Sequence, residues 1–155
     1  MYKVETVIDC DNIRGLYDKD TEMAINSKNV KLINSHKEIN GVCFNYALKD
    51  DEGYFRNCEE SFEYLEDNYI PVDIKDARSG DIISYHELDE ANGRDFTYPN
   101  SINTFHFAII KETKGTLEST IIKSKWGYNG VFETSLYDVP DTYGNTIVIW
   151  RKKGG

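Results

Sequence analysis

Hydrophobic and polar positions follow two different rhythms in the two halves of the chain. From about Tyr54 to Asn68, apolar residues recur at spacings of three and four: Phe55, Cys58, Phe62, Leu65 and then Tyr69. That stripe predicts an amphipathic helix, stopped by Ile70-Pro71. A shorter helix is predicted from Asn40 to Lys49. Asn40 is suited to be its N-cap, since its side-chain carbonyl can accept a free first-turn N–H, and Cys43 then takes the third helical position. After Ser79-Gly80 the rhythm changes to that of strands. These are expected at Asp81–Tyr85, Thr104–Lys111, Leu117–Lys125, Val131–Leu136 and Thr146–Arg151. Glu87–Ser101 reads as a long polar loop, and Lys114-Gly115 as a tight turn. The opening third is harder to read, with a strand expected at Lys3–Ile8 and a helix from about Asp18 or Asp20 through Ile25. Helices followed by a meandering antiparallel sheet make an α+β fold. The chain is expected to be a single domain, 1–155, with an N-terminal extension over 1–39 and the core over 40–151.

Composition narrows the partners. The 155 residues are 39% hydrophobic and 13% aromatic, with 11 Tyr against 7 Phe and 2 Trp, so half-buried groove walls are as well supplied as the core. With 27 acidic and 18 basic side chains the formal net charge is −9, a field that repels nucleic-acid phosphates and anionic lipid headgroups. Neither nucleic acid nor membrane is expected as a partner. The three cysteines, Cys10, Cys43 and Cys58, do not make a disulfide framework and fit a reducing compartment. The opening residues carry no basic stretch followed by an apolar one, so no secretory signal is expected. The expected location is the cytoplasm of the producing cell, or of a cell that receives a delivered or phage-encoded protein. No metal or nucleotide motif occurs, and no cofactor is expected.

Two residues carry chemistry. Cys43 falls in the first turn of a predicted helix, where free N–H groups favour a thiolate. His106 lies on the predicted strand Thr104–Lys111, between Phe105 and Phe107, and alternation puts it on the face of Ala108 and Ile110. That face is expected to pack on the Cys43 helix. Taken alone, a free cysteine is more often a small buried hydrophobe, and a strand histidine more often a core or surface residue. Together they are the two halves of a cysteine hydrolase. Cys58, mid-helix on the apolar stripe, reads as structural, and Cys10 between two aspartates as a poor nucleophile. His36 and His86 are the competing imidazoles.

The segment Ser124-Lys125-Trp126-Gly127 resembles the Asn-Ser-Trp-Gly strand end of papain-like cysteine peptidases. Cys43-x-x-Tyr46-Ala47, the Ala77–Asp81 segment and His106-Phe-Ala-Ile-Ile are similar to the NlpC/P60 and CHAP-like bacterial and phage branches. The likeness covers about residues 40 to 151. It implies a papain-like fold, a nucleophilic Cys43, a basic His106, and Ser124 standing where an Asn would orient the imidazole. A three-residue turn at Lys114–Thr116 would set His106 against Ser124; a two-residue turn would set it against Lys123. Asn40, His36 and Asn45 are candidates for a second oxyanion donor, with Asn40 also in the substrate site. Tyr46, Tyr85, Trp126 and Tyr128 are expected as groove walls, with ordinary core packing as the equal alternative.

The expected function is amide-bond hydrolysis by the Cys43–His106 dyad, a peptidase or amidase reaction. The resemblance implies peptidoglycan peptides as substrate, and an intracellular protein target is the other partner. Two alternatives use the same residues: a non-catalytic binding or effector module, and a deamidase or acyltransferase.

Overall fold

A computed structural model describes residues 7–9, 31–34, 43–49, 53–125, 131–136, 139, 144 and 146–154. The strands are β1 (Val7–Asp9), β2 (Lys31–Asn34), β3 (Tyr69–Val72), β4 (Ile82–His86), β5 (Thr104–Glu112), β6 (Ile121–Lys125), β7 (Val131–Ser135) and β8 (Thr146–Lys152). The helices are α1 (Cys43–Ala47) and α2 (Cys58–Asn68). All strands join one antiparallel sheet in the order β1-β8-β4-β5-β6-β7-β2, with β3 also pairing to β8. The expected α+β layout, short helices on an antiparallel sheet, is what the chain forms. The region before residue 40 supplies both flanks: β1 pairs β8 and β2 pairs β7. The helix expected near residues 18–25 lies outside the described residues.

Three local expectations are corrected. Helix α2 starts at Cys58, not Tyr54, because the Asn57 side chain accepts the Glu60 N–H at 2.8 Å and caps the helix there. Phe55 is buried from an extended segment, so the apolar stripe overran the helix. The sequence after α2 does not merely stop. Tyr69–Val72 forms β3 against β8, with Pro71 opposite Trp150, on a strand that among the described residues pairs to β8 alone and where a missing N–H is tolerated. Finally, β6 starts at Ile121 rather than Leu117. Residues 113–120 instead tie themselves up through hydroxyls: Thr113 Oγ1 meets Thr120 Oγ1 at 2.8 Å, and Ser119 Oγ accepts the Lys114 N–H at 2.9 Å.

The central strands are buried on both faces. One face gathers Ile83, Tyr85, Ala108, Ile110, Ile147 and Ile149 with Leu136 and Val139. The other gathers Ile82, Phe107, Val148 and Trp150 under Phe44, Ala47, Phe62 and Leu65 of the helices, with Cys43 among them. At the base of β4, Arg151 holds Asp81 through two contacts, Nη2–Oδ2 at 2.8 Å and Nε–Oδ1 at 3.1 Å, while Asp81 Oδ2 accepts the Arg78 N–H. The Ala77–Asp81 motif therefore anchors β4 to β8. At the other end of β4, Gly144 (φ +124°) lies so close to the His86 carbonyl that any Cβ would collide with it.

Candidate active site

Helix α1 presents Cys43 to strand β5, as the sequence led us to expect. The described β5–β6 ladder ends at the Ile109–Lys123 pair, although β5 reaches back to Thr104 and β6 on to Lys125. Past that end, the Phe107 N–H donates to the Cys43 sulfur. The His106 side chain and the Cys58 thiol both lie close enough to Cys43 to act on its sulfur. Phe107, rather than Ala108 and Ile110, shares the helix-side cluster, so the expected face assignment is reversed. A register shift between Thr104 and His106, with Phe105 as the extra residue, accompanies the change.

The surroundings hold the Cys43 thiol well below its ordinary range. The neighbouring Cys58 thiol contributes most, opposed by burial, and the His106 side chain and the Phe107 N–H add to it. Cys58 is pushed the opposite way, first by its hydrogen bond to Cys43 and then by burial. One sulfur of the pair ionises while the other keeps its proton as donor. Cys43 is the one that ionises, because it alone has His106 and the Phe107 N–H beside it. The dyad is enclosed: Cys43 retains 8% of its exposure and His106 none.

His106 pairs across β4 with Tyr85, their ring centroids 5.4 Å apart. Tyr85 is fully buried and its hydroxyl donates to the Leu136 carbonyl at 2.9 Å, so it backs the imidazole from inside. The expectation that Tyr85 lines an open groove is corrected on that ground. Neither expected register for Ser124 forms. With Ile109 opposite Lys123, the same register continued sets Ser124 against Ala108, and Ser124 pairs with Phe132 on its other side. The cause is the long hydroxyl-rich connection over 113–120. Asn45 donates its amide to the Phe55 carbonyl at 3.2 Å, which ties α1 to the segment before α2 and commits the group away from an oxyanion. Tyr46 is half-buried on α1, and burial raises its hydroxyl pKa. Asn40, Trp126, Tyr128, His36 and Cys10 lie outside the described residues.

Two residues enter the site that the sequence did not place there. Cys58 stands at the first position of α2, not at its middle, and touches Cys43. Lys125, ending β6, is completely buried; burial pushes its pKa down and the charge of Cys43 pushes it back up. The attraction is mutual, so the ammonium also favours the thiolate. Removing that charge in Lys125→Met is expected to move the pH midpoint of Cys43 alkylation upward and slow labelling at neutral pH severalfold. A pH series of alkylation read by mass spectrometry checks this; an unmoved midpoint would show that Lys125 does not act on the sulfur. The signal that marks such a residue is two consecutive polar positions, Ser124 and Lys125, both buried at the end of a strand whose earlier positions alternate half-buried and buried.

His86 is not part of this dyad. Its Nε2 meets Ser84 Oγ at 2.7 Å and its Nδ1 faces Asn103 Oδ1 at 3.2 Å and Thr104 Oγ1 at 3.1 Å. Thr104 Oγ1 gives its proton to the Asn100 carbonyl and an amide oxygen has none to give, so the ring must carry its hydrogen on Nδ1. Ser84 Oγ then donates to Nε2 while accepting the Trp150 indole N–H at 2.8 Å. Every partner in that chain is satisfied, and burial lowers the His86 pKa to about 3.

A groove of about 370 Å³ opens at the other end of α1, between Ala47, Tyr64, Tyr69, Ile82 and Ile109, with Lys49 and Lys152 in its walls. It begins one helical turn from the thiol and does not include it. Among the described residues, no group of three His, Cys, Asp or Glu side chains is placed to hold a metal ion, and no helix is long and apolar enough to cross a membrane. No protein-family model, curated protein or solved structure matches the chain.

Proposed function

We propose that the chain is a cysteine hydrolase of papain-like design that cleaves an amide bond. The observation that carries the reading is the contact between the Cys43 thiol on α1 and the His106 imidazole on β5, with the thiol pKa lowered. In the reaction the Cys43 sulfur attacks the substrate carbonyl carbon and His106 holds the thiol proton. His106 then passes that proton to the leaving amine, and water, deprotonated by the same ring, releases the acyl group from the thioester. The Phe107 N–H and the Lys125 ammonium favour the negative sulfur before attack. Resemblance to NlpC/P60 and CHAP-like proteins points to peptidoglycan peptides as the substrate class, with peptide segments of a target protein as the second class. A deamidase or acyltransferase would differ only in the amine or acceptor.

The enclosure of the dyad favours a second reading, a binding module that keeps the scaffold without turnover. The pH dependence of Cys43 alkylation by iodoacetamide separates the two. A hydrolase requires a midpoint well below the ~8.5 of an ordinary thiol, rising when His106 is replaced by Gln. The midpoint, unlike the absolute rate, does not depend on how easily the reagent enters. A Cys43 that titrates as an unfolded cysteine does would leave the binding module standing.

A further inference from the structure

We propose that Cys43 and Cys58 form a reversible disulfide between α1 and α2, which makes Cys58 the resolving thiol of an oxidant-sensitive site. Cys58 stands at the head of α2, fixed there by the Asn57 cap, and packs against the helix-side cluster to which Cys43 of the neighbouring helix belongs, so that each thiol acts on the other. Both thiols are free, Cys43 buried and Cys58 half-buried, so the pair is reached from the Cys58 side. A cysteine that served only to fill the apolar stripe would have no need to meet a second sulfur. Metal binding is the other use of such a pair, and no third ligand accompanies it among the described residues in a metal-holding arrangement.

The chemistry balances with a hydroperoxide as oxidant. The Cys43 thiolate attacks one peroxide oxygen, the O–O bond breaks and an alkoxide leaves, which makes Cys43 a sulfenic acid. The Cys58 sulfur then attacks the Cys43 sulfur and the S–O bond breaks. The departing hydroxide takes the Cys58 proton as water. Two electrons pass from the two thiols to the peroxide, and a small dithiol returns them by exchange. That the bond silences catalysis rests on the hydrolase reading, since it consumes the nucleophile. Formation of the bond does not depend on that reading.

The test uses the full chain and hydrogen peroxide. After brief oxidation the remaining thiols are alkylated, and the digest is read by mass spectrometry without any substrate. A cross-linked peptide joining positions 43 and 58 is expected, with Cys43 alkylation down by at least ~10-fold and restored by dithiothreitol. In Cys58→Ser the reaction is expected to halt at a Cys43 sulfenic acid that a dimedone probe traps. Oxidation of Cys43 to sulfinic acid beside an unreacted Cys58, or a Cys43 bond to Cys10, would overturn the inference. A chain that forms the bond and cleaves no amide keeps this inference and loses the hydrolase reading; one that cleaves but never cross-links does the reverse.

Discussion

Replacing Cys43 by alanine will lower amide hydrolysis by roughly 10⁴-fold or more, the scale at which a covalent nucleophile is lost. The fold should survive the change. Cys43 packs as one small side chain beside Phe44, Ala47 and Phe107, and its removal leaves a void of a single sulfur, costing about 1 kcal/mol. His106→Gln keeps much of the ring's volume and removes its base, so its loss of rate should approach that of Cys43→Ala, since the two groups act as one unit. The measurement is turnover of a library of peptide amides and peptidoglycan fragments, with thermal unfolding run alongside. Undiminished cleavage by a folded Cys43→Ala protein would place the chemistry elsewhere.

The second large effect is acid sensitivity set by His86. Burial holds its pKa at about 3 in the folded chain against 6.5 for a free imidazole. Above pH 6.5 the ring is neutral in both states and contributes no pH dependence. Between about 6.5 and 3 the unfolded chain binds a proton that the folded chain refuses. Stability therefore falls as pH falls, by up to about 5 kcal/mol across that window. In His86→Gln this contribution disappears from the pH profile, although the variant is less stable at neutral pH by roughly 2–4 kcal/mol because Ser84, Asn103 and Thr104 lose their shared partner. Denaturant melts at pH 7 and pH 4 on both proteins give the difference. Equal slopes with pH would mean that His86 takes up its proton without unfolding the chain.

Legibility in the sequence followed the strength of local signals. Strands β5 and β8 were bounded to within one residue, because their apolar runs have no competing partner nearby. Helix α2 was found but begun too early, since Phe55 and Cys58 continue one stripe across a boundary that Asn57 sets by a single hydrogen bond. Strand β3 was missed because a Pro reads as a stop, and only β8 reveals that its edge needs no further donor. The nucleophile and base were legible as residue types in suitable settings. Their neighbours were not. Cys58 reaches Cys43 only because α2 starts where it does, and Lys125 only because the 113–120 connection slides the β5–β6 register. Both depend on where an element begins, which is the weakest part of any pattern reading.

Strand β8 has a consequence for how this chain comes to be folded. It lies between β4 on one side and β1 with β3 on the other, yet it follows all three along the chain. Three earlier strands must wait with open edges for it, and its contacts reach from Val148 back to Val7. Closure of the sheet is thus a slow event, during which unpaired strand edges are exposed to aggregation.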